Sequence, residues 1–155
     1  MANNRYPWHL RIFVEDDANL QIVNGFLETF FHHNVPRCVR VLPPCGGWHA
    51  TLNAAQKACV VRRPNQNILA VIDFDGDSKR IATATESQSA NYYVVGSRDE
   101  PERLRQYLQQ PGFFSNLGDR LACEYDCKDS SIWAHIVNRN ALDSLVQDAR
   151  KQHAC

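Results

Sequence analysis

Residues 68–77 read Ile-Leu-Ala-Val-Ile-Asp-Phe-Asp-Gly-Asp, five apolar residues followed at once by a cluster of aspartates. An uninterrupted apolar run of this length is typical of a central parallel strand that is covered by helices on both faces. In open α/β sheets, ligands bind beyond the carboxyl ends of the strands. The stretch therefore predicts a buried strand and, directly after it, an acidic edge of the sheet.

The segments on either side alternate between strand and helix patterns. Four strands are predicted, at residues 10–14, 38–42, 68–72 and 92–95. Helices with apolar residues at helical spacing are predicted after them, starting at Asp16 or Asp17, near Trp48, near Ser78 and at Pro101. Residues 111–129 are expected to be irregular, and a closing helix follows. The prediction is an α/β fold: a Rossmann-like, mostly parallel four-stranded sheet with helices on both faces and a C-terminal helical extension.

The composition bounds the class of protein. The 155 residues suit a single domain spanning 1–155, and 44% hydrophobic with 22% charged residues is an ordinary globular balance. Seventeen basic residues cancel seventeen acidic ones, so any nucleic-acid binding has to be local. The longest apolar run is far too short to span a bilayer, and the first residues lack the apolar core of a signal peptide. A cytoplasmic protein without a membrane partner is expected.

Acidic residues follow two of the predicted strands. Glu15 ends the first strand, and Asp73 and Asp75 end the third, so a parallel sheet would bring all three to the same edge. Asp73 and Asp75 are two residues apart and point the same way while the chain is extended. Hard cations such as Mg²⁺ prefer carboxylate oxygens. The three acids predict a site for Mg²⁺ or Mn²⁺, whereas Asp77 taken alone is interpreted as the cap of the next helix.

Three known families have acidic motifs that match this sequence only in part. An EF-hand loop would need Gly and Glu where Ser78 and Ala84 stand. A response-regulator receiver also has acids after its first strand, but the next strand-end acid comes too late here and no later Lys-Pro pair exists. A haloacid-dehalogenase-type phosphatase would use Asp73 as its nucleophile, although Asp77 replaces the usual Thr and that motif normally opens the fold. The phosphatase is kept as an alternative.

The order and spacing of the motifs resemble a Toprim domain, the catalytic module shared by topoisomerases, bacterial primases and OLD-family nucleases. That family has a Glu at the end of its first strand and Asp-x-Asp at the end of its third, here Glu15 and Asp73-Phe74-Asp75. Gly46-Gly47, after the second strand, resembles the glycine turn of many OLD-type members. The resemblance covers about residues 10–108 and leaves 109–155 as the extension.

The resemblance implies a metal-dependent nuclease, a hydrolase of phosphodiester bonds whose expected substrate is DNA. Glu15, Asp73 and Asp75 would be the catalytic residues and would hold one or two Mg²⁺ or Mn²⁺ ions at the scissile phosphate. Asp77 and Glu102 would be further metal ligands, with Glu100 competing for the second role. The residues expected to contact phosphate or nucleic acid are Gly46, Gly47, Lys79 and Arg80.

The resemblance also implies partners. OLD-type enzymes join this module to an ABC-type ATPase, so an ATPase on a separate chain and a role in anti-phage defence are expected. Asp16 stands where the family often has Gly, and Asn19 stands where an Asp often follows. These departures keep open a second interpretation, a non-catalytic Toprim-like subunit of a larger ATPase assembly. The sequence leaves open the oligomeric state and whether Cys123 and Cys127, spaced like half a zinc site, bind that metal.

Overall fold

The structure is a computed structural model that describes residues 7–107, 112–127 and 129–152. Within these residues, one five-stranded sheet is formed in the order β2-β1-β3-β4-β5. The strands are β1 (His9–Val14), β2 (Val39–Val41), β3 (Gln66–Val71), β4 (Tyr92–Ser97) and β5 (Ile136–Val137). The first four are parallel, and β5 runs antiparallel to β4.

Five α-helices are described, together with two short 3₁₀ segments at Pro101–Tyr107 and Trp133–His135. The helices are α1 (Asp17–Phe30), α2 (Trp48–Val60), α3 (Ser78–Ser87), α4 (Phe113–Cys123) and α5 (Arg139–Gln152). None of the described helices has both the length and the apolar character that crossing a membrane requires.

The two faces of the sheet carry separate apolar cores because side chains alternate along each strand. On one face, Ile12 and Val71 pack with residues of α1 and α5. On the other face, Phe13 and Ile72 pack with residues of α2 and α3. The prediction of an α/β fold with helices on both faces of a mostly parallel sheet is therefore confirmed.

The number of strands was predicted wrongly. The sequence suggested four, and the structure adds β5, in which Ile136 pairs with Ser97 and Val137 pairs with Gly96. A strand of two residues is too short to show an alternating pattern, so its residues gave no strand signal. The C-terminal extension thus folds back and continues the sheet beyond β4.

The expectation that residues 111–129 are irregular was also wrong, because Phe113–Cys123 forms α4. Its residues Phe113, Leu117 and Leu121 are spaced four apart and are buried, so the helical signal was present but short. This helix packs on α1, outside the two layers that cover the sheet. The helix predicted to start at Pro101 is described as the 3₁₀ segment Pro101–Tyr107, in which Leu104 is buried.

Two glycines allow α1 and α4 to approach closely. A Cβ atom built on Gly118 would lie 2.0 Å from the carbonyl oxygen of Ile22, and one on Gly25 would lie 2.3 Å from the carbonyl oxygen of Ser115. Both distances are far inside van der Waals contact and involve backbone rather than flexible side chains. The contact between these helices therefore depends on the absence of side chains at both positions.

Replacement of Gly118 by Ala is expected to lower the free energy of unfolding by about 1–3 kcal/mol, the usual cost of overpacking. In an exposed helix the same change would raise the free energy of unfolding by about 1 kcal/mol. The sign of the change therefore distinguishes a tightly packed Gly118 from an exposed one. Urea unfolding followed by circular dichroism measures the difference. Ser144→Ala, on the exposed side of α5, is the control and should change stability by less than about 0.5 kcal/mol. A stabilised Gly118→Ala variant would contradict the close approach of α1 and α4.

Candidate functional site

The parallel pairing of β1 and β3 brings Glu15 and Asp73 to the same edge of the sheet. Val14 is paired with Val71, and the amide of Glu15 donates a hydrogen bond of 3.1 Å to the carbonyl of Val71. Glu15 and Asp73 are each only 8% exposed. Oxygen atoms of Glu15, Asp16 and Asp73 all lie within 4.8 Å of one another, which is close enough for one cation to contact all three.

Asn19 holds two of these carboxylates in place. Asp16 caps α1 by accepting a hydrogen bond of 2.9 Å from the amide of Asn19. The side-chain amide of Asn19 donates to Oδ1 of Asp16 at 2.8 Å and to Oδ1 of Asp73 at 3.2 Å. At 2% exposure Asn19 is among the most buried polar residues described. The sequence marked it only as a departure from the family, whereas the structure makes it the bridge between the two acids.

The glycine turn after β2 fixes the main chain of Glu15. The amides of Gly46 and Gly47 donate to the carbonyl oxygen of Glu15, at 3.0 Å and 3.3 Å. Their φ angles of +83° and +130° lie in the region that favours glycine. The two glycines were expected to bring backbone close to a phosphate, yet their N–H groups are already used within the protein. The turn therefore lies beside the acids and positions one of them.

Asp75 is not part of the acidic cluster. Its φ angle is +49°, so the chain turns at this residue instead of staying extended, and the expected common direction of Asp73 and Asp75 is lost. The carboxylate of Asp75 is 46% exposed and accepts a hydrogen bond of 3.2 Å from Arg80. The structure thus places Asp16, where the sequence suggested Asp75, beside Glu15 and Asp73.

Arg80 connects the loop that carries Asp73 and Asp75 to Trp48 at the start of α2. Its side chain is 16% exposed, donates a hydrogen bond of 2.7 Å to the carbonyl oxygen of Asp73, and lies with Cζ 4.8 Å from the ring centre of Trp48. Lys79, by contrast, is exposed. Both residues were expected to contact nucleic acid, and the structure directs the arginine inward, toward the loop that carries Asp73.

The remaining predicted residues lie around the cluster. Asp77 caps α3, accepting hydrogen bonds from the amides of Lys79 and Arg80, which confirms its interpretation as a cap. Glu102 is exposed at the start of the 3₁₀ segment. Its negative charge raises the pKa of Asp73, so it lies near the site. Glu100 is exposed. Cys123 and Cys127 are exposed free thiols and belong to no group of three or more metal-ligand side chains among the described residues.

Burial and mutual repulsion make the acids costly to ionise. Burial, followed by the charge of Glu15 and then those of Asp16, Asp75 and Glu102, raises the pKa of Asp73 to about 8. Burial and the charge of Asp16 also raise the pKa of Glu15, although the backbone N–H of Asp73 and the charge of Arg80 oppose the shift. Either a proton or a cation relieves this repulsion. Three carboxylates and no nitrogen or sulfur donor are the ligands that Mg²⁺ and Mn²⁺ prefer, so the residues fit such an ion.

Replacement of Arg80 by Gln is expected to destabilise the protein by about 1–3 kcal/mol, because a buried carbonyl and a carboxylate lose a charged donor. Lys79→Gln is the matched control, since it removes the same charge from the preceding, exposed residue and should cost less than about 0.5 kcal/mol. Urea denaturation of both variants gives the difference. Equal effects of the two changes would show that the inward contacts of Arg80 carry no stability.

No protein-family model matches the chain, and neither does any curated protein or solved structure. The functional interpretation of the site therefore depends on its own geometry and chemistry.

Proposed function

We propose that the protein is a metal-dependent nuclease of Toprim type that hydrolyses phosphodiester bonds in DNA. The observation that carries the proposal is that carboxylate oxygens of Glu15, Asp16 and Asp73 lie within 4.8 Å of one another, at the carboxyl ends of parallel strands. Among the described residues, none of these three carboxylates takes part in an ion pair with a basic side chain. Glu15 and Asp73 are buried and Asp16 is half-buried, and carboxylates placed together in this way without an ion-pair partner are favourable only if protons or a divalent cation neutralise them.

The proposed chemistry is the standard contribution of a hard cation to phosphoryl transfer. When bound, the ion neutralises charge on the phosphate and lowers the pKa of a water molecule that attacks it. The side-chain amide of Asn19 donates hydrogen bonds to the carboxylates of Asp16 and Asp73 and so holds them side by side. Arg80 donates to the carbonyl oxygen of Asp73 and fixes its main chain. Glu15, whose pKa is raised chiefly by burial, would accept the proton of the attacking water.

The charge balance of the chain supports a partner that delivers the DNA. Seventeen basic residues against seventeen acidic ones give no overall attraction for a polyanion. In the proposal, an ABC-type ATPase on a separate chain binds and presents the DNA, and the pair acts in the cytoplasm in defence against phage. The protein then contributes the cutting site and depends on its partner for affinity.

Asn19 favours a second candidate function, that of a non-catalytic subunit. Its amide occupies hydrogen-bonding positions of both Asp16 and Asp73, where the family often has another acid. A cluster that is satisfied internally in this way could serve structure alone. In this alternative the chain assembles with the ATPase and leaves cutting to another protein. The phosphatase alternative is less favourable, because Asp77 stands where that family usually has Thr and the Asp-x-Asp motif follows the third strand instead of opening the fold.

The test is the conversion of supercoiled plasmid to nicked and linear forms by the purified chain, with Mg²⁺, with Mn²⁺ and with a chelator. The proposal expects cutting with either cation and none with the chelator. Mn²⁺ binding, measured by calorimetry on the same sample, tests the metal site independently of plasmid cutting. Cation binding without cutting, also after addition of an ATPase encoded beside it, would favour the non-catalytic subunit. Release of phosphate from a small ester, with a trapped acyl phosphate on Asp73, would favour the phosphatase.

A further inference from the structure

Two arginines lie side by side on the sheet. The parallel pairing of β1 and β2 places Arg11 opposite Arg40, and neighbouring strands are about 4.8 Å apart. Their strand neighbours Leu10, Ile12 and Val39 pack in the core on the α1 side. Because side chains alternate along a strand, both arginines project from the opposite face, the one that carries α2. Two positive charges therefore share one face near the β2 edge of the sheet.

The arginine pair, Arg11 and Arg40, has no acidic counterpart. The ion pairs formed within the described part of the chain include neither of these side chains. Like charges that lie directly opposite each other on neighbouring strands destabilise a sheet. An anion that contacts both side chains would remove this repulsion, so the pair is suited to a negatively charged ligand.

The charged ends of both side chains are open to solvent. Arg40 is exposed, and Arg11 is half-buried. The side chain of Arg11 makes no hydrogen bond to the described residues, yet its nitrogen atoms are not among the buried ones that lack a partner, which in these residues belong to Trp8 and Arg80. The nitrogen atoms of Arg11 are therefore accessible, and an anion can reach both members of the pair.

The side chain of Arg11 extends along β1 toward the acidic cluster. Its Cζ lies 5.6 Å from the ring centre of Phe13, the next residue of β1 on the same face. Glu15 follows two residues later, so Arg11 and Glu15 are about 13 Å apart along the strand at about 3.3 Å per residue. In duplex DNA the phosphates of one strand follow one another about every 3.4 Å along the axis. A DNA strand cut at the acidic cluster therefore has a phosphate level with the arginine pair about four nucleotides away.

We propose that Arg11 and Arg40 bind the phosphate backbone of the DNA strand that the acidic cluster cuts, about four nucleotides from the scissile phosphate. The inference rests on the proposed function and adds the path of the substrate. Guanidinium groups donate paired hydrogen bonds to phosphate oxygens. Because the chain has no net positive charge, two such contacts position the strand and leave most of the affinity to the partner.

The test measures DNA binding apart from cutting. The full chain is titrated into a fluorescent duplex at a series of salt concentrations, with a chelator present, and anisotropy gives the dissociation constants. Each phosphate that the protein neutralises contributes about 0.9 to the slope of log K against log [salt]. Arg11→Gln and Arg40→Gln are each expected to reduce the slope by about 0.9 and to weaken binding at low salt about fivefold. Arg40→Lys keeps the charge and should keep the slope.

Lys151→Gln is the control for net charge. It removes one positive charge from the exposed side of α5, which packs on the other face of the sheet, and should leave both the slope and the affinity unaltered. Circular dichroism of each variant establishes that it is folded before its affinities are compared. If Arg11→Gln does not fold, Arg40→Gln decides the test, because Arg40 is exposed on a strand at the edge of the sheet.

The inference is overturned if the chain shows no saturable binding of the duplex at low salt, or if Arg40→Gln and Lys151→Gln change the slope equally. It is also overturned if polyglutamate binds more tightly than the duplex and Arg40→Gln abolishes that binding, which would assign the surface to an acidic protein. Plasmid cutting by the same variants separates the two proposals. Cutting with unaltered slopes rejects the arginine contacts alone, whereas reduced slopes without cutting by any form support the contacts and reject the nuclease.

Discussion

Replacement of Asp73 by Asn is expected to abolish the proposed cation-dependent nicking of plasmid DNA, with a loss of at least about a hundredfold. Asp73 accepts a hydrogen bond from Asn19 and is repelled by both Glu15 and Asp16, so it lies at the centre of the site. Changes to groups that only orient metal ligands cost about 10–100-fold, and loss of a ligand itself should cost more. The initial rate of loss of supercoiled plasmid, at fixed Mn²⁺ and protein concentration, measures the effect.

Asp77→Asn is the matched control for this prediction. It removes the same charge by the same chemical change four residues further along. Asparagine caps a helix about as well as aspartate, so the cap of α3 is kept. Nicking by this variant should stay within about threefold of the unaltered chain. If Asp73→Asn keeps its activity, or if both variants lose it equally, Asp73 does not hold the catalytic cation.

The second large effect is a loss of stability as pH rises in the absence of divalent cations. The pKa of Asp73 is raised from 3.8 to about 8 in the folded protein. Between these values the unfolded chain loses its proton while the folded protein keeps it, so the unfolded state is favoured increasingly. Each pH unit is worth about 1.4 kcal/mol for one group, which gives a loss of about 5 kcal/mol from pH 4 to pH 8.

Urea unfolding at a series of pH values, with a chelator present, measures this slope. Asp73→Asn has no proton to lose at this position and should show a flatter profile, with higher stability than the unaltered chain at pH 8. Saturating Mg²⁺ should restore the unaltered chain at pH 8 and leave Asp73→Asn nearly unaffected, because binding to the folded state alone is stabilising. A profile that is the same in both proteins would mean that Asp73 is ionised and solvated without a cation.

The features that were predictable from sequence are those with a continuous local signal. The apolar run 68–72 identified the central strand, and the acids after β1 and β3 could be placed on one edge because parallel strands share their direction. The cap at Asp77 followed from its position before a helix, whereas the sequence left the start of α1 open between Asp16 and Asp17, and the structure uses Asp16 as the cap. From these alone, the sequence located the candidate site on the fold.

The features that were missed depend on single backbone angles or distant contacts. Asp75-Gly76 is a turn dipeptide, but the sequence did not show that the left-handed φ falls on Asp75 or that its carboxylate contacts Arg80. The bridge from Asn19 to Asp73 joins residues 54 positions apart and depends on how α1 sits on the sheet. The helix α4 has only a short apolar pattern and contains Gly118, whose close contact with α1 is visible only in the folded structure.

The pairing of β5 with β4 has a consequence for any shortened form of this protein. A chain that stopped at residue 107 would lack the strand that pairs with Gly96 and Ser97 and would leave that end of β4 as an open sheet edge. It would also uncover the apolar side of α1 that α4 covers. Exposed edges of this kind recruit other strands and promote aggregation. The extension thus covers one end of the sheet edge and one side of α1, and the first 107 residues by themselves are expected to aggregate.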